Sequence, residues 1–184
     1  MSYDIYCYKS KLGRPNLEEA QAIVELEEEE SSSDSETKLK IAKALIEYNP
    51  KFESFEFDYE EISKLQGTTV DEAKKAFDHI ELNTAEGELA TQITIFGDTV
   101  SITVPYWYSG DNATEVFKNI NQYAKVIRQA AGYFVYDPQT EEVFDPLNEN
   151  IFDLNIYKSM THQVKKMKTD QIKKSNKKPW WKFW

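Results

Sequence analysis

Apolar and polar residues alternate at the start of the chain and again, over a longer stretch, past its middle. In SYDIYCY (2–8), Tyr3, Ile5 and Cys7 fall on one side and Asp4, Tyr6 and Tyr8 on the other, which is the period of a strand. LATQITIF (89–96) keeps Leu89, Thr91, Ile93 and Ile95 in phase, and TVSITVPY (99–106) does the same with Val100, Ile102 and Val104. Gly97-Asp98 between them signals a tight hairpin. HIELN (79–83) precedes this pair, and YFVYD (133–137) follows as a core strand. The turn Asp137-Pro138-Gln139 then leads into a weaker strand, EEVF.

Elsewhere the apolar spacing widens to three and four residues. Asn16 is placed to cap LEEAQAIVELEEEE (17–30), with Leu17, Ala20, Ile23 and Val24 as its stripe. A helix over 36–48 carries two overlapping stripes, Leu39/Ala42/Ile46 and Ile41/Leu45/Tyr48, and Pro50 stops it. Thr69 with Glu72 reads as a capping box for VDEAKKAF. The strongest helix, 113–131, aligns Val116, Phe117, Ile120, Ala124, Ile127 and Ala131. Asn112 and Glu115 form its expected capping box, and Gly132 is its stop. FESFEFDYEEISKLQG (52–67) fits neither period: its aromatics suit a strand or an irregular cover, and EEISKL suits a helical turn.

Because strands and helices do not alternate strictly, the pattern predicts an α+β fold with a mainly antiparallel sheet, a central meander and helices on one face. It places one domain over residues 1–148 with an acidic loop near 27–36, a polar basic helix over 149–175, and an aromatic, basic tail over 176–184 beyond the helix-breaking Pro179.

Charge sharpens that division. Residues 158–184 hold nine lysines against one aspartate, a net +8, whereas residues 1–157 hold 13 Lys/Arg against 31 Asp/Glu, a net −18. An acidic body repels phosphates, so nucleic acid is an unfavoured partner and a basic protein a suitable one. No basic segment followed by an apolar one opens the chain, and no apolar run is long enough to span a bilayer, so a cytoplasmic protein is expected. The single Cys7 allows no internal disulfide and no cysteine cluster for zinc.

The opening Met1–Tyr6 (MSYDIY), the helix running up to Gly132, and Tyr136–Gln139 (YDPQ) together resemble a loose group of small uncharacterised bacterial proteins. Those proteins begin MSYD and close their core with a YDPQ-like turn. The resemblance covers residues 1–146 in outline, and the acidic stretch around 25–36 and the basic tail depart from it. In size and acidity the group is similar to polymorphic-toxin immunity or accessory proteins. It therefore implies a non-catalytic, immunity-like interaction protein, and it carries no catalytic residue over.

The residues offer few chemical constellations. Asp137 and Gln139 sit in a proline turn whose backbone an Asp ordinarily braces. Asp4 would make a polar site with them if the first strand and the 133–137 strand were neighbours. His79 and His162 lack metal-ligand spacing, Ser109-Gly110 lacks the nucleophile-elbow frame, and Glu27–Glu30 lacks a calcium loop. No cofactor, metal or catalytic set is expected. In Tyr106-Trp107-Tyr108, alternation sends Tyr106 and Tyr108 toward the core and Trp107 outward, which makes Trp107 and Tyr108 a candidate contact site. The tail residues Trp180, Trp181, Phe183 and Trp184, set among lysines, suit docking on an acidic protein surface first and an anionic membrane second. The leading expectation is thus a non-catalytic interaction module with a docking tail. The alternatives are a small enzyme or ligand-binding domain with a pocket near Asp4, Asp137 and the Tyr106–Tyr108 loop, or peripheral membrane attachment through the tail.

Overall fold

The structure is a computed structural model that describes residues 2–25 and 35–148. The helix expected over 149–175, the tail with Trp180, Trp181, Phe183 and Trp184, His162 and the run Glu27–Glu30 lie outside the described residues. In chain order the elements are β1 (Ser2–Tyr8), α1 (Leu17–Glu25), α2 (Ser35–Tyr48), β2 (Phe52–Ser54), α3 (Tyr59–Gln66) and α4 (Val70–Ala76). Then come β3 (Ile80–Thr84), β4 (Gln92–Ile95), β5 (Thr99–Pro105), α5 (Asp111–Ala131), β6 (Phe134–Asp137) and β7 (Glu142–Phe144).

The strands form one sheet in the order β2-β3-β4-β5-β1-β6-β7, every neighbouring pair antiparallel. The α+β class with a mainly antiparallel sheet is therefore the observed one. Placing the N-terminal strand beside the β3–β5 meander sets Ile5 opposite Ile102 and Asp4 opposite Thr103. In-phase residues Tyr3, Ile5, Cys7, Ile93, Ile95, Val100, Ile102 and Val104 are buried together. Ile41, Leu45, Val116, Phe117, Ile120, Ala124 and Ile127 from α2 and α5 close over them. Burial pushes the Cys7 thiol up to about 12, so it acts as a small apolar side chain.

Several local expectations need correction. Helices do not all occupy one face: α1 lies across the other, where Ala20, Leu17, Ile23 and Val24 pack with Tyr6, Tyr8, Phe134 and Tyr136. Tyr8, in the polar phase of β1, is therefore fully buried, and its hydroxyl bonds to the Asn16 backbone on both N–H and carbonyl. Asn16 does cap α1, its Oδ1 accepting from the Glu19 N–H at 2.8 Å. On α2, Leu39 (63% exposed) and Ile46 face outward, because the stripe Lys38-Ile41-Ala42-Leu45 turns inward instead. Lys38 can be buried because its Nζ reaches the Asp78 carbonyl at 2.6 Å and the Asp78 carboxylate at 2.9 Å. The capping box at Asn112 and Glu115 is absent. Helix α5 starts two residues earlier, from Gly110 at φ 60, with no side-chain cap. The box at Thr69 and Glu72 is present in full. β4 spans only Gln92–Ile95, and segment 52–67 resolves into β2, an irregular turn and α3 capped by Asp58.

Candidate functional site

Asp4 and Asp137 come from neighbouring strands, with Gln139 just past the second. β6 does pair with β1, through Tyr6–Tyr136 and Tyr8–Phe134. Asp137, only 2% exposed, points to the helix-covered side, where its Oδ2 accepts from the Tyr3 hydroxyl at 2.5 Å. Its Oδ1 accepts from the Gln139 N–H at 2.9 Å, the turn-bracing bond that an Asp before Pro-Gln favours. With Nε2 of Gln139 facing its acceptors, that amide donates to Asp137 Oδ1 and also to the Asp4 carbonyl. Burial raises the Asp137 pKa above its ordinary value, and hydrogen bonds from Tyr3 and the Gln139 and Thr140 backbone work against that rise.

The Asp4 carboxylate lies on the opposite side of the sheet. It accepts from Thr103 Oγ1 at 2.8 Å and from Ser2 Oγ at 2.9 Å, both in the polar phase of their strands. The two carboxylates expected to converge are thus separated by the sheet, and the Gln139 amide, through the Asp4 backbone, links them. Tyr106, packed edge-on against Tyr3 at 6.0 Å, has its pKa raised by burial first and then by the charges of Asp4 and Asp137. A proton-transfer pair needs both groups at one reacting atom, and this geometry does not provide it.

The structure instead sets Ser2 and Thr103, the two hydroxyls bonded to Asp4, in one groove with Trp107. As alternation predicted, Tyr106 is buried, Tyr108 is half-buried against the core, and Trp107 stands out at 64% exposure. The Tyr108 hydroxyl accepts from the Ala90 N–H and latches this loop to the approach of β4. Trp107 then walls an open groove of about 340 Å³ on the polar side of the sheet. Ser2, Asn83, Gln92, Thr103 and Pro105 line it from β1, β3, β4 and β5. Sequence reasoning found Asp4 and Trp107 separately and missed Gln92, Thr103 and Asn83. Their signal was present, since they occupy the polar phase of strands whose apolar phase was recognised.

A second surface lies at the β2 edge. Glu53, Glu56, Asp58, Glu60 and Glu61 are exposed around Phe55, which is 52% exposed. None of the five forms an ion pair among the described residues. Behind them Phe57, Phe77, His79 and Phe96 stack ring to ring, with His79 centroids 5.0 Å from Phe57 and 5.3 Å from Phe96. His79 is therefore part of an aromatic cluster, and no group of His, Cys, Asp or Glu among the described residues is arranged to hold a metal. No helix among them is long and apolar enough to cross a membrane. No family model, curated protein or solved structure matches this chain, so its sites are read from their own geometry.

Proposed function

We propose that the protein is a non-catalytic interaction module of immunity type, which neutralises a basic protein partner at its acidic β2 edge. The observation that carries this reading is the run of five exposed carboxylates between Glu53 and Glu61, none in an ion pair among the described residues, with Phe55 exposed among them. A strip of one charge sign steers an opposite partner, and an aromatic at its centre anchors it once water is expelled. β2 has β3 on one side and, among the described residues, no strand on the other. Lys51 and Phe55 already bond inward, to Ala85 just past β3 and to Glu81 in it, so the alternate residue Ser54 turns its backbone to the open side. An extended basic segment fits that edge through main-chain bonds, with the glutamates meeting its cations. The lysine- and tryptophan-rich residues 176–184 supply a second, separable contact in this reading.

Native co-purification tests it with three forms: the full chain, a triple variant Phe55→Ser/Glu56→Lys/Glu60→Lys, and a chain ending at Asn176. The full chain is expected to retain a basic partner whose association weakens as salt rises, and the triple variant to lose it. The truncated form is expected to hold it more weakly. Retention by the triple variant, or no basic partner at all, contradicts the proposal.

A further inference from the structure

The groove beside Trp107 adjoins the acidic edge, since its lining residue Asn83 pairs with Glu53 across the sheet, but no carboxylate lines the groove itself. Its lining combines hydroxyl and amide groups with the apolar surface of Ala90, Pro105 and one large flat aromatic, and no Lys, Arg or His is present to meet an anion. Asp4 sits behind Ser2 and Thr103, so a phosphate or carboxylate entering the groove would meet negative charge. The same carboxylate orients the groove. Ser2 and Thr103 both give their hydroxyl hydrogens to Asp4, which leaves their oxygen lone pairs available to a ligand's O–H groups. Asn83 spends one N–H on Glu81 at 2.7 Å and keeps its carbonyl and second N–H. The Gln92 amide makes no side-chain hydrogen bond among the described residues, so both its donor and its acceptor are available.

We infer that this groove is a binding site for a neutral saccharide. A sugar ring has one face of C–H groups, polarised positive, and these stack favourably on the negative face of an indole. Its rim of hydroxyls both donates and accepts, as a mixed array of amides and oriented hydroxyl oxygens requires. Trp107 supplies the stacking face, Ser2 and Thr103 accept, and Gln92 and Asn83 do both. At about 340 Å³, open at the surface, the site falls near the small end of the usual ligand range of about 300–1,000 Å³ and takes a short oligosaccharide segment. A protonated amine is the nearest competitor, since it too is drawn to an indole face. However, each Asp4 oxygen is already occupied by a hydroxyl, and Asp4 itself does not line the groove.

Isothermal titration of the full chain decides between them. The titrants are cellotriose, maltotriose, xylotriose and triacetylchitotriose, each to about 10 mM, with Nα-acetyl-lysine methylamide and inorganic phosphate run alongside. At least one trisaccharide is expected to bind. Trp107→Ala should weaken it about tenfold or more, and Gln92→Ala should weaken it less, with both variants unfolding like the parent. The inference is overturned if no trisaccharide binds, or if Trp107→Ala leaves the affinity unchanged. It is also overturned if the lysine derivative or phosphate, and not a sugar, binds in a Trp107-dependent way.

Discussion

Ile102 and Thr103 are adjacent in sequence and belong to different regions of the molecule. Ile102 lies under α2 and α5 in a face that is fully withdrawn from water, with Tyr3, Ile5, Ile93 and Val104 around it. Thr103 lies on the reverse face, half-exposed, bonded to Asp4 and lining the groove at Trp107. One face of the sheet is used for folding. The other, outside the strip covered by α1, remains open to a ligand. A period of two residues is enough to divide these tasks, because successive side chains must point opposite ways.

The largest effect should come from breaking the closed face. Ile102→Ala removes a fully buried side chain between sheet and helices and is expected to cost about 2–5 kcal/mol in urea unfolding. Next is Tyr3→Phe, which leaves the buried Asp137 Oδ2 without its donor at an expected cost of about 1–3 kcal/mol. Tyr8→Phe probes the strip of the reverse face that α1 covers. It deprives the Asn16 N–H of its hydroxyl acceptor and should cost about 1 kcal/mol, with α1 amides losing exchange protection first.

A smaller, pH-dependent effect sharpens the contrast further. Burial raises the Asp137 pKa in the fold, so the folded protein binds this proton more tightly than the unfolded chain does. Its contribution is complete below the ordinary carboxylate range and is lost as pH rises through the raised value, where a buried carboxyl must ionise. Asp137→Asn cannot titrate. Its stability relative to the parent should therefore improve between about pH 4 and about pH 7, measured by unfolding midpoints at both. An unchanged or reversed difference would show that the hydrogen bonds to Asp137, and not its burial, dominate.

Much of the fold was legible because its strongest signals are local. Period-two runs gave β1 through Tyr3, Ile5 and Cys7 and gave β4 and β5 through Ile and Val, and Thr69 with Glu72 marked the start of α4. What escaped depends on distant partners. Lys38 joins the inner stripe of α2 only because Asp78, forty residues on, receives its ammonium, and this turns Leu39 outward. Tyr8 is buried by a helix that the polar phase of β1 gave no reason to expect there. The misplaced site has a similar cause. β6 is buried along its whole length, so YFVYD shows no phase, and nothing local reveals that Asp137 faces away from Asp4. Trp107 was placed correctly because Val104 fixed the phase of β5 just before it.

On this reading the open face of the sheet is dispensable to folding, which leaves it available for binding. Urea unfolding of the double variant Thr103→Val/Trp107→Ala tests it most directly, since both residues line the groove and neither belongs to the buried core. The expected result is an unchanged slope and a stability within about 1 kcal/mol of the parent. A loss comparable to that of Ile102→Ala would contradict the claim, because the groove would then be part of what holds the fold together.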